Sequence, residues 1–144
     1  MEKARSLQSR YPRRWILGAD TLVVQGRRIY GKPRNRVQAE EILRSLSAKP
    51  HSVFTGFALV GPGRKVFSGV GESRVYFRRL GKDEIRDYTR SAEPYDKAGG
   101  YDIRGTAGAW VRRLEGDFFT VMGLPLPELL AAFARAGLQT AQFK

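Results

Sequence analysis

Strand-like and helix-like segments alternate along this chain, and this alternation constrains the fold more than any other feature. Apolar runs rich in β-branched and aromatic residues predict four longer strands. They are WILGADTLVV (15–24), HSVFTGFALV (51–60), KVFSGVGESRVYF (65–77) and GAWVRRLEG (108–116), and RIYGKP (28–33) adds a short return strand. The first strand is nearly all apolar, so we expect it to be buried, with a bulge or bend at residues 18–20.

Three segments between and after the strands have helical patterns. The first covers residues 36–47 after a capping Asn35, the second covers residues 81–91, and the third runs from Pro125 to Gly137. The alternation indicates an α/β fold with a mixed sheet, and the 144 residues fit a single domain over residues 1–144. The expected buried positions on the first two helices are Val37, Ile42, Leu43, Leu46, Ile85 and Tyr88.

The composition excludes several classes of protein. The chain has no cysteine, which excludes a disulfide framework, a thiolate zinc site and a cysteine nucleophile. A cytoplasmic location is the simplest expectation, since no secretory signal and no apolar run of membrane-spanning length is present. The net charge of +12 favours anionic partners such as nucleotides or nucleic acid.

Two charged residues near the first strand are candidates for chemistry. Asp20 interrupts an apolar run, and a carboxylate there needs a partner. It could cap local backbone N–H groups, or it could act as a general base or Mg²⁺ ligand. Lys32, held between a glycine and a proline, could contact a phosphate as a point charge or could belong to a surface turn.

The segment AEPYDKAGGYDIRG (residues 92–105) fits neither a strand nor a helix, because no apolar period runs through it. It could be a solvated connection, or a loop whose glycines let backbone N–H groups approach a charged ligand. His51 is the single histidine, so a zinc site is not expected. We interpret His51 as a structural residue that caps the preceding helix end.

Five short motifs follow one another in a characteristic order. They are GADTLV (18–23), GKP (31–33), the pattern LS…H.V.TG (46–56), EPYDKAGGYDIRG (93–105) and GLPL (123–126). In this order they resemble the Maf family of nucleotide pyrophosphatases, and the resemblance spans nearly the whole chain.

The resemblance implies an elongated mixed sheet flanked by helices, with a cleft between two lobes. It also implies hydrolysis of a nucleoside triphosphate, such as dTTP, UTP or a modified nucleotide, to the monophosphate and pyrophosphate. A divalent cation, Mg²⁺ or Mn²⁺, would assist. Asp20 matches the proposed catalytic acid and would hold the metal. The positions that match substrate contacts are Lys3, Thr21, Lys32, Glu93, Asp96, Lys97 and Arg104.

Two departures from the family pattern lead to further expectations. Arg104 stands where the family has a glutamine, which affects base selectivity because a guanidinium cannot accept a hydrogen bond. The family's Ser-rich, Pro-Arg-Arg phosphate loop does not precede GADTLV, so we expect a domain incomplete at the N-terminus, with weakened or absent activity and a tendency to form a homodimer. The alternatives left open are a basic nucleic-acid-binding α/β module and a non-catalytic remnant.

Overall fold

One antiparallel sheet, with strand order β2-β1-β3-β4-β5, organises the protein. The structure is a computed structural model that describes residues 2–138, except for the side chains at positions 2, 3, 5, 8 and 64. The combination of sheet and helices confirms the expected α/β class, although each described strand pair is antiparallel rather than mixed. The strands are β1 (Ile16–Gln25), β2 (Arg28–Tyr30), β3 (Pro50–Val60), β4 (Val66–Phe77) and β5 (Val111–Glu115).

Five α-helices accompany the sheet: α1 (Glu2–Arg10), α2 (Arg36–Leu46), α3 (Lys82–Tyr88), α4 (Phe118–Met122) and α5 (Leu126–Arg135). The sequence predicts α2, α3 and α5. It misses α1, which is strongly polar, and α4, which is too short to show a period. Asp117 nevertheless caps α4 by accepting a hydrogen bond from the Thr120 N–H. None of the described helices is long and apolar enough to cross a membrane.

The first strand differs from its prediction in two ways. Its pairing with β3 runs without interruption from Ile16 opposite Val60 to Val24 opposite Ser52, so the expected bulge at residues 18–20 is wrong. The strand is also not buried throughout, since Leu22 is 43% exposed while Val23 is 1% exposed. Only the face of β1 that carries Val23 packs against the apolar core. The apolar composition of a strand does not reveal which of its faces the fold will cover.

Helix α2 begins as predicted, because the Asn35 side chain accepts a hydrogen bond from the backbone N–H of Gln38. The predicted apolar face is correct except at Val37, which is 66% exposed. Ala39 replaces it in the core. Positions 39, 42, 43 and 46 follow the i, i+3, i+4, i+7 spacing of one helix face, whereas position 37 lies off that face.

Two apolar clusters pack on the sheet, and each includes a residue of β3. The larger one includes Val23, Val53 and Trp110, and the smaller one is formed by Phe57, Leu129 and Ala132. Side chains of a strand alternate between faces, so Val53, Thr55 and Phe57 share one face. The buried Thr55 therefore separates the two clusters, and this polar break lies beside the cleft described next.

Candidate active site

A cleft of about 410 Å³ opens where β1 meets the turn after β2, the segment of residues 92–105 and helix α4. It brings together five of the residues that the sequence singled out: Asp20, Thr21, Lys32, Asp96 and Lys97. The other lining residues are mostly apolar. Those most relevant below are Val23, Val53, Ala98, Tyr101, Val121 and Met122. The cleft therefore combines a charged part with an apolar part.

Asp20 lies in the middle of β1 and is exposed, so it does not stand in the buried apolar setting that the run around it predicts. It pairs with Gly56, while Thr21 pairs with Thr55, and the two side chains extend toward opposite faces. Both can line one cleft because β2 pairs only with Val23–Gln25, which leaves the outer edge of β1 beside Asp20 unpaired among the described strands.

The Asp20 carboxylate also has no hydrogen bond or ion pair with the backbone and side-chain groups that the structure describes. It does not cap local backbone N–H groups, which removes the structural alternative that the sequence left open. A free carboxylate on a cleft keeps all its acceptor positions for a ligand, a water molecule or a cation.

The two lysines of the cleft differ in how strongly they are engaged. Lys97 Nζ lies 2.8 Å from Asp96 Oδ2 and 3.8 Å from Asp102 Oδ2. Its ammonium group, with a smaller contribution from Lys32, holds the pKa of Asp96 below its usual range. Lys32 forms no hydrogen bond or ion pair in the described part of the chain. Lys32 is thus the cation most available to an anionic ligand.

The segment of residues 92–105 is not a solvated connection. It folds into short 3₁₀ turns, and its two consecutive glycines, Gly99 and Gly100, are buried with φ of 72° and 73°. The Gly99 N–H donates to the Gly31 carbonyl oxygen at 3.0 Å, and the Gly99 Cα lies against Val23. The glycines thus anchor this segment to β1 and to the GKP turn, and they hold Lys97 and Ala98 on the cleft.

Two of the predicted substrate contacts lie elsewhere, and a third is not described. Glu93 accepts hydrogen bonds from the Tyr88 hydroxyl at 3.2 Å and the Thr106 N–H at 3.4 Å, so it braces the segment from within. Arg104 is bound to Asp102 through two contacts of 2.8 and 3.1 Å and does not line the described cleft. The Arg104 guanidinium lowers the pKa of Asp102, against the opposing effect of burial. Lys3 belongs to α1, and its side chain lies outside the described residues.

His51 is structural, as expected, but it does not cap the preceding helix. Its Nε2 lies 2.8 Å from the hydroxyl of Tyr101, and its ring packs edge-on against Phe77. Burial lowers the pKa of His51 to about 4, so its imidazole is neutral at pH 7. Burial also raises the pKa of Tyr101, so its phenol stays protonated. This neutral pair holds Tyr101 at the wall of the cleft.

Sequence reasoning missed a chain of hydroxyl groups that runs inward from the cleft. Thr21 Oγ1 lies 2.8 Å from Thr55 Oγ1, which in turn lies 2.7 Å from the carbonyl oxygen of Thr120 in α4. In the sequence, Thr55 was notable only as one residue of the motif LS…H.V.TG. Its role depends on cross-strand pairing with Thr21, which sequence spacing does not reveal.

The cleft suits a magnesium ion that protein and substrate coordinate together better than one that protein side chains coordinate alone. No group of three or more His, Cys, Asp or Glu side chains that could hold a metal occurs among the described residues. Mg²⁺ commonly binds one or two carboxylates and completes its shell with water and phosphate oxygens. The unpartnered Asp20 carboxylate meets that requirement, whereas Asp96 is already paired with Lys97.

Comparison with known proteins identifies the family to which this chain belongs. The family model described as Maf-like protein matches residues 1–136. The chain is 43% identical to the dTTP/UTP pyrophosphatase of Geobacillus sp. (strain WCH70), over 94% of this chain and 72% of that protein. It is 44% identical to the dTTP/UTP pyrophosphatase of Myxococcus xanthus (strain DK1622), over 95% and 69%. The dTTP/UTP pyrophosphatase of Aquifex aeolicus (strain VF5) is 43% identical, over 89% and 67%.

Proposed function

This chain belongs to the Maf-like protein family, and we propose that it is a nucleotide pyrophosphatase that hydrolyses dTTP and UTP to the monophosphate and pyrophosphate. The shared name of its relatives supports the substrate. The observation that carries the proposal is the cleft in which a free carboxylate, Asp20, and a free ammonium group, Lys32, accompany an apolar pocket. A pyrimidine nucleotide has the matching parts, a flat ring and a polyanionic tail.

In the proposed reaction a water oxygen attacks the α-phosphorus, and the bond from that phosphorus to the oxygen bridging to the β-phosphorus breaks. Asp20 orients this water and accepts its proton. A positioned base of this kind contributes about 10²- to 10⁴-fold to a rate. The exposed position of Asp20 at the unpaired edge of β1 gives both water and a phosphate access to the carboxylate.

The departing pyrophosphate gains negative charge, which a nearby cation stabilises. Lys32 can approach it without first breaking an ion pair, and Lys97 can do so by exchanging Asp96 for phosphate oxygens. When bound, Mg²⁺ or Mn²⁺ would supply further charge neutralisation, and Asp20 is the cleft carboxylate available to hold it. The roles of Asp20, Lys32 and Lys97, and the use of a divalent cation, belong to this proposal.

The test is to incubate the protein with dTTP or UTP and Mg²⁺ in ¹⁸O-labelled water and to analyse the products. We expect monophosphate and pyrophosphate, with the label in the monophosphate because water attacks the α-phosphorus. Asp20→Asn keeps the side-chain size and removes the charge, so kcat should fall about 100-fold or more. Asp83→Asn is the matched control, since Asp83 lies on α3 with 82% of its side chain exposed and does not line the cleft.

Two results would contradict the proposal. Release of orthophosphate would show attack at the terminal phosphorus, and label in the pyrophosphate would show attack at the β-phosphorus. Equal activity of the Asp20→Asn and Asp83→Asn variants would remove Asp20 from the mechanism.

The nucleic-acid alternative is not favoured by the arrangement of the basic residues. Arg78 is bound to Glu84, and Arg113 is bound to Glu115, so the charges of these two arginines are partly neutralised. In β5 the neighbouring Arg112 and Arg113 extend toward opposite faces and form no stripe. A cytoplasmic location and a homodimer stay predictions from the sequence.

A further inference from the structure

A second cavity borders the cleft and shares a cation with it. This β2–α2 groove has a volume of about 350 Å³, and its walls include Arg28, Tyr30, Lys32, Gln38, Glu41 and Ile42. Gly31 and Lys32 line both the groove and the cleft, so the two cavities meet at the GKP turn. An anion held by Lys32 in the cleft therefore lies beside the groove as well.

Strand and helix periods explain why these side chains face one another. Positions 38, 41, 42 and 45 follow the spacing of one helix face, and that face of α2 lies over β2. Arg28 and Tyr30 extend from the same face of β2, and the Tyr30 hydroxyl lies 2.6 Å from Ser45 Oγ. The Gln25 side chain also forms two hydrogen bonds with Ser45, of 2.9 and 2.8 Å. These contacts fix α2 against the hairpin, so Arg28 extends toward the helix.

The cations of the groove are not neutralised by acidic side chains. Arg28 and Lys32 form no side-chain hydrogen bond or ion pair with the groups that the structure describes. By contrast, Arg36 on α2 is bound to Glu40 at 3.0 Å. The Glu41 carboxylate lines the groove and is likewise unpaired among the described groups. With two free cations against one acid, the groove carries a net positive charge and favours an anionic ligand.

The Gln38 side chain adds a hydrogen-bond donor whose orientation is fixed. Its Oε1 accepts a hydrogen bond from the backbone N–H of Arg34 at 2.8 Å. Because the amide oxygen is engaged, the NH₂ group is the part of the side chain left for a ligand, and it has no partner among the described groups. Guanidinium, ammonium and amide groups thus offer three sets of N–H donors. Such a set suits an anion with several acceptor oxygens.

We propose that the β2–α2 groove binds a pyrophosphate group through Arg28, Lys32 and Gln38. This inference rests on the proposed function, which releases pyrophosphate beside Lys32, and it deepens that function. Pyrophosphate is multiply charged and rich in acceptor oxygens, so it complements the donors of the groove. The group reaches the groove either as the free product or as the β,γ part of a bound nucleotide, and the experiment separates these two sources. Arg28 is a binding residue in both cases.

The experiment measures binding of inorganic pyrophosphate, so it does not depend on turnover. Dissociation constants are obtained by calorimetry without divalent cations, which would form complexes with the probe. Arg28→Gln should weaken binding about tenfold, because it removes a charge-assisted hydrogen bond. Arg27→Gln is the matched control, since Arg27 is the exposed neighbour of Arg28 and lines neither cavity. Its affinity should stay within about twofold of the wild-type value, because exposed charges away from a ligand are screened.

A second variant should change the affinity in the opposite direction. Glu41 lines the groove but not the described cleft, and its carboxylate repels an anion bound there. Glu41→Gln removes that repulsion, so pyrophosphate should bind about threefold more tightly. A gain in affinity cannot arise from a general loss of structure. Opposite effects of Arg28→Gln and Glu41→Gln would therefore place pyrophosphate in the groove.

A nucleotide analogue identifies the source of the group. The probe is α,β-methylene UTP, which cannot be cleaved at the α–β bond. If Arg28→Gln weakens binding of pyrophosphate but not of this analogue, the groove takes the free product. Equal weakening of both would assign the groove to the β,γ part of the bound nucleotide. Both results support the site.

The outcomes separate this inference from the proposed function. Pyrophosphate binding that depends on Arg28, with no pyrophosphate released from UTP, would support the groove and overturn the proposed reaction. Hydrolysis of UTP to pyrophosphate, with a pyrophosphate affinity that neither Arg28→Gln nor Glu41→Gln changes, would overturn the groove and leave the reaction in place. Absence of pyrophosphate binding by the wild-type protein would also overturn the groove.

Discussion

Gly99 offers a test of how the segment of residues 92–105 is attached to β1. Its backbone is left-handed, with φ of 72° and ψ of 1°, and a Cβ atom there would lie 2.8 Å from Cγ2 and 3.1 Å from Cβ of Val23. A left-handed alanine costs about 1 kcal/mol. Forcing a methyl group into an occupied site costs about 1–3 kcal/mol more. Gly99→Ala should therefore lower the free energy of unfolding by about 2–4 kcal/mol.

Gly63 provides a matched control, because it has nearly the same backbone, with φ of 68° and ψ of 25°. A Cβ atom at Gly63 would meet no atom within 4 Å. Gly63→Ala should thus lower the free energy of unfolding by about 1 kcal/mol, the cost of a left-handed alanine alone. Urea unfolding, followed by the fluorescence of the buried Trp110, measures both values. The difference between the two variants isolates the collision with Val23.

A double variant tests the cause directly. Val23→Ala removes the two methyl carbons that stand against the new group, so the double variant should be more stable than the sum of the single effects predicts, by about 1 kcal/mol or more. Gly99→Ala should also lower kcat/KM, because Lys97 and Ala98 line the cleft beside it. Equal costs for Gly99→Ala and Gly63→Ala, or additive effects in the double variant, would refute this account of the packing.

Two further predictions concern charge. Because burial lowers the pKa of His51 to about 4 from 6.5, between these values the unfolded chain binds a proton that the folded chain does not. Stability should thus be complete above pH 6.5 and fall by about 3 kcal/mol as pH decreases to 4, and the NMR signals of this single histidine should not titrate until pH is near 4. Titration near pH 6.5 would contradict the burial. Arg104→Gln should change kcat/KM less than about threefold, since Arg104 is paired with Asp102 away from the described cleft, whereas Lys32→Gln should lower it about tenfold or more. Steady-state kinetics with UTP compare the two, and the reverse order would place Arg104 on the substrate.

The sequence by itself determined the order of the elements and the motifs at their ends. Strand and helix periods, the Asn35 cap and the terminal Gly137 are local signals, because neighbouring residues produce them. They identified α2, α3 and α5 and all five strands to within a few residues. The ordered motifs also identified the family and the residues Asp20, Thr21, Lys32, Asp96 and Lys97, which the structure brings to one cleft.

Tertiary structure alone decided how those residues are used. An apolar strand does not reveal which of its faces will be covered, so the exposure of Asp20 could not be predicted. The sequence leaves Arg104 free to meet a phosphate, but a turn brings its guanidinium to the carboxylate of Asp102 instead. The chain of hydroxyl groups joins Thr21 to Thr55, 34 positions away, and ends on the carbonyl oxygen of Thr120 in α4. Such contacts arise from strand register and packing, which join distant parts of the chain.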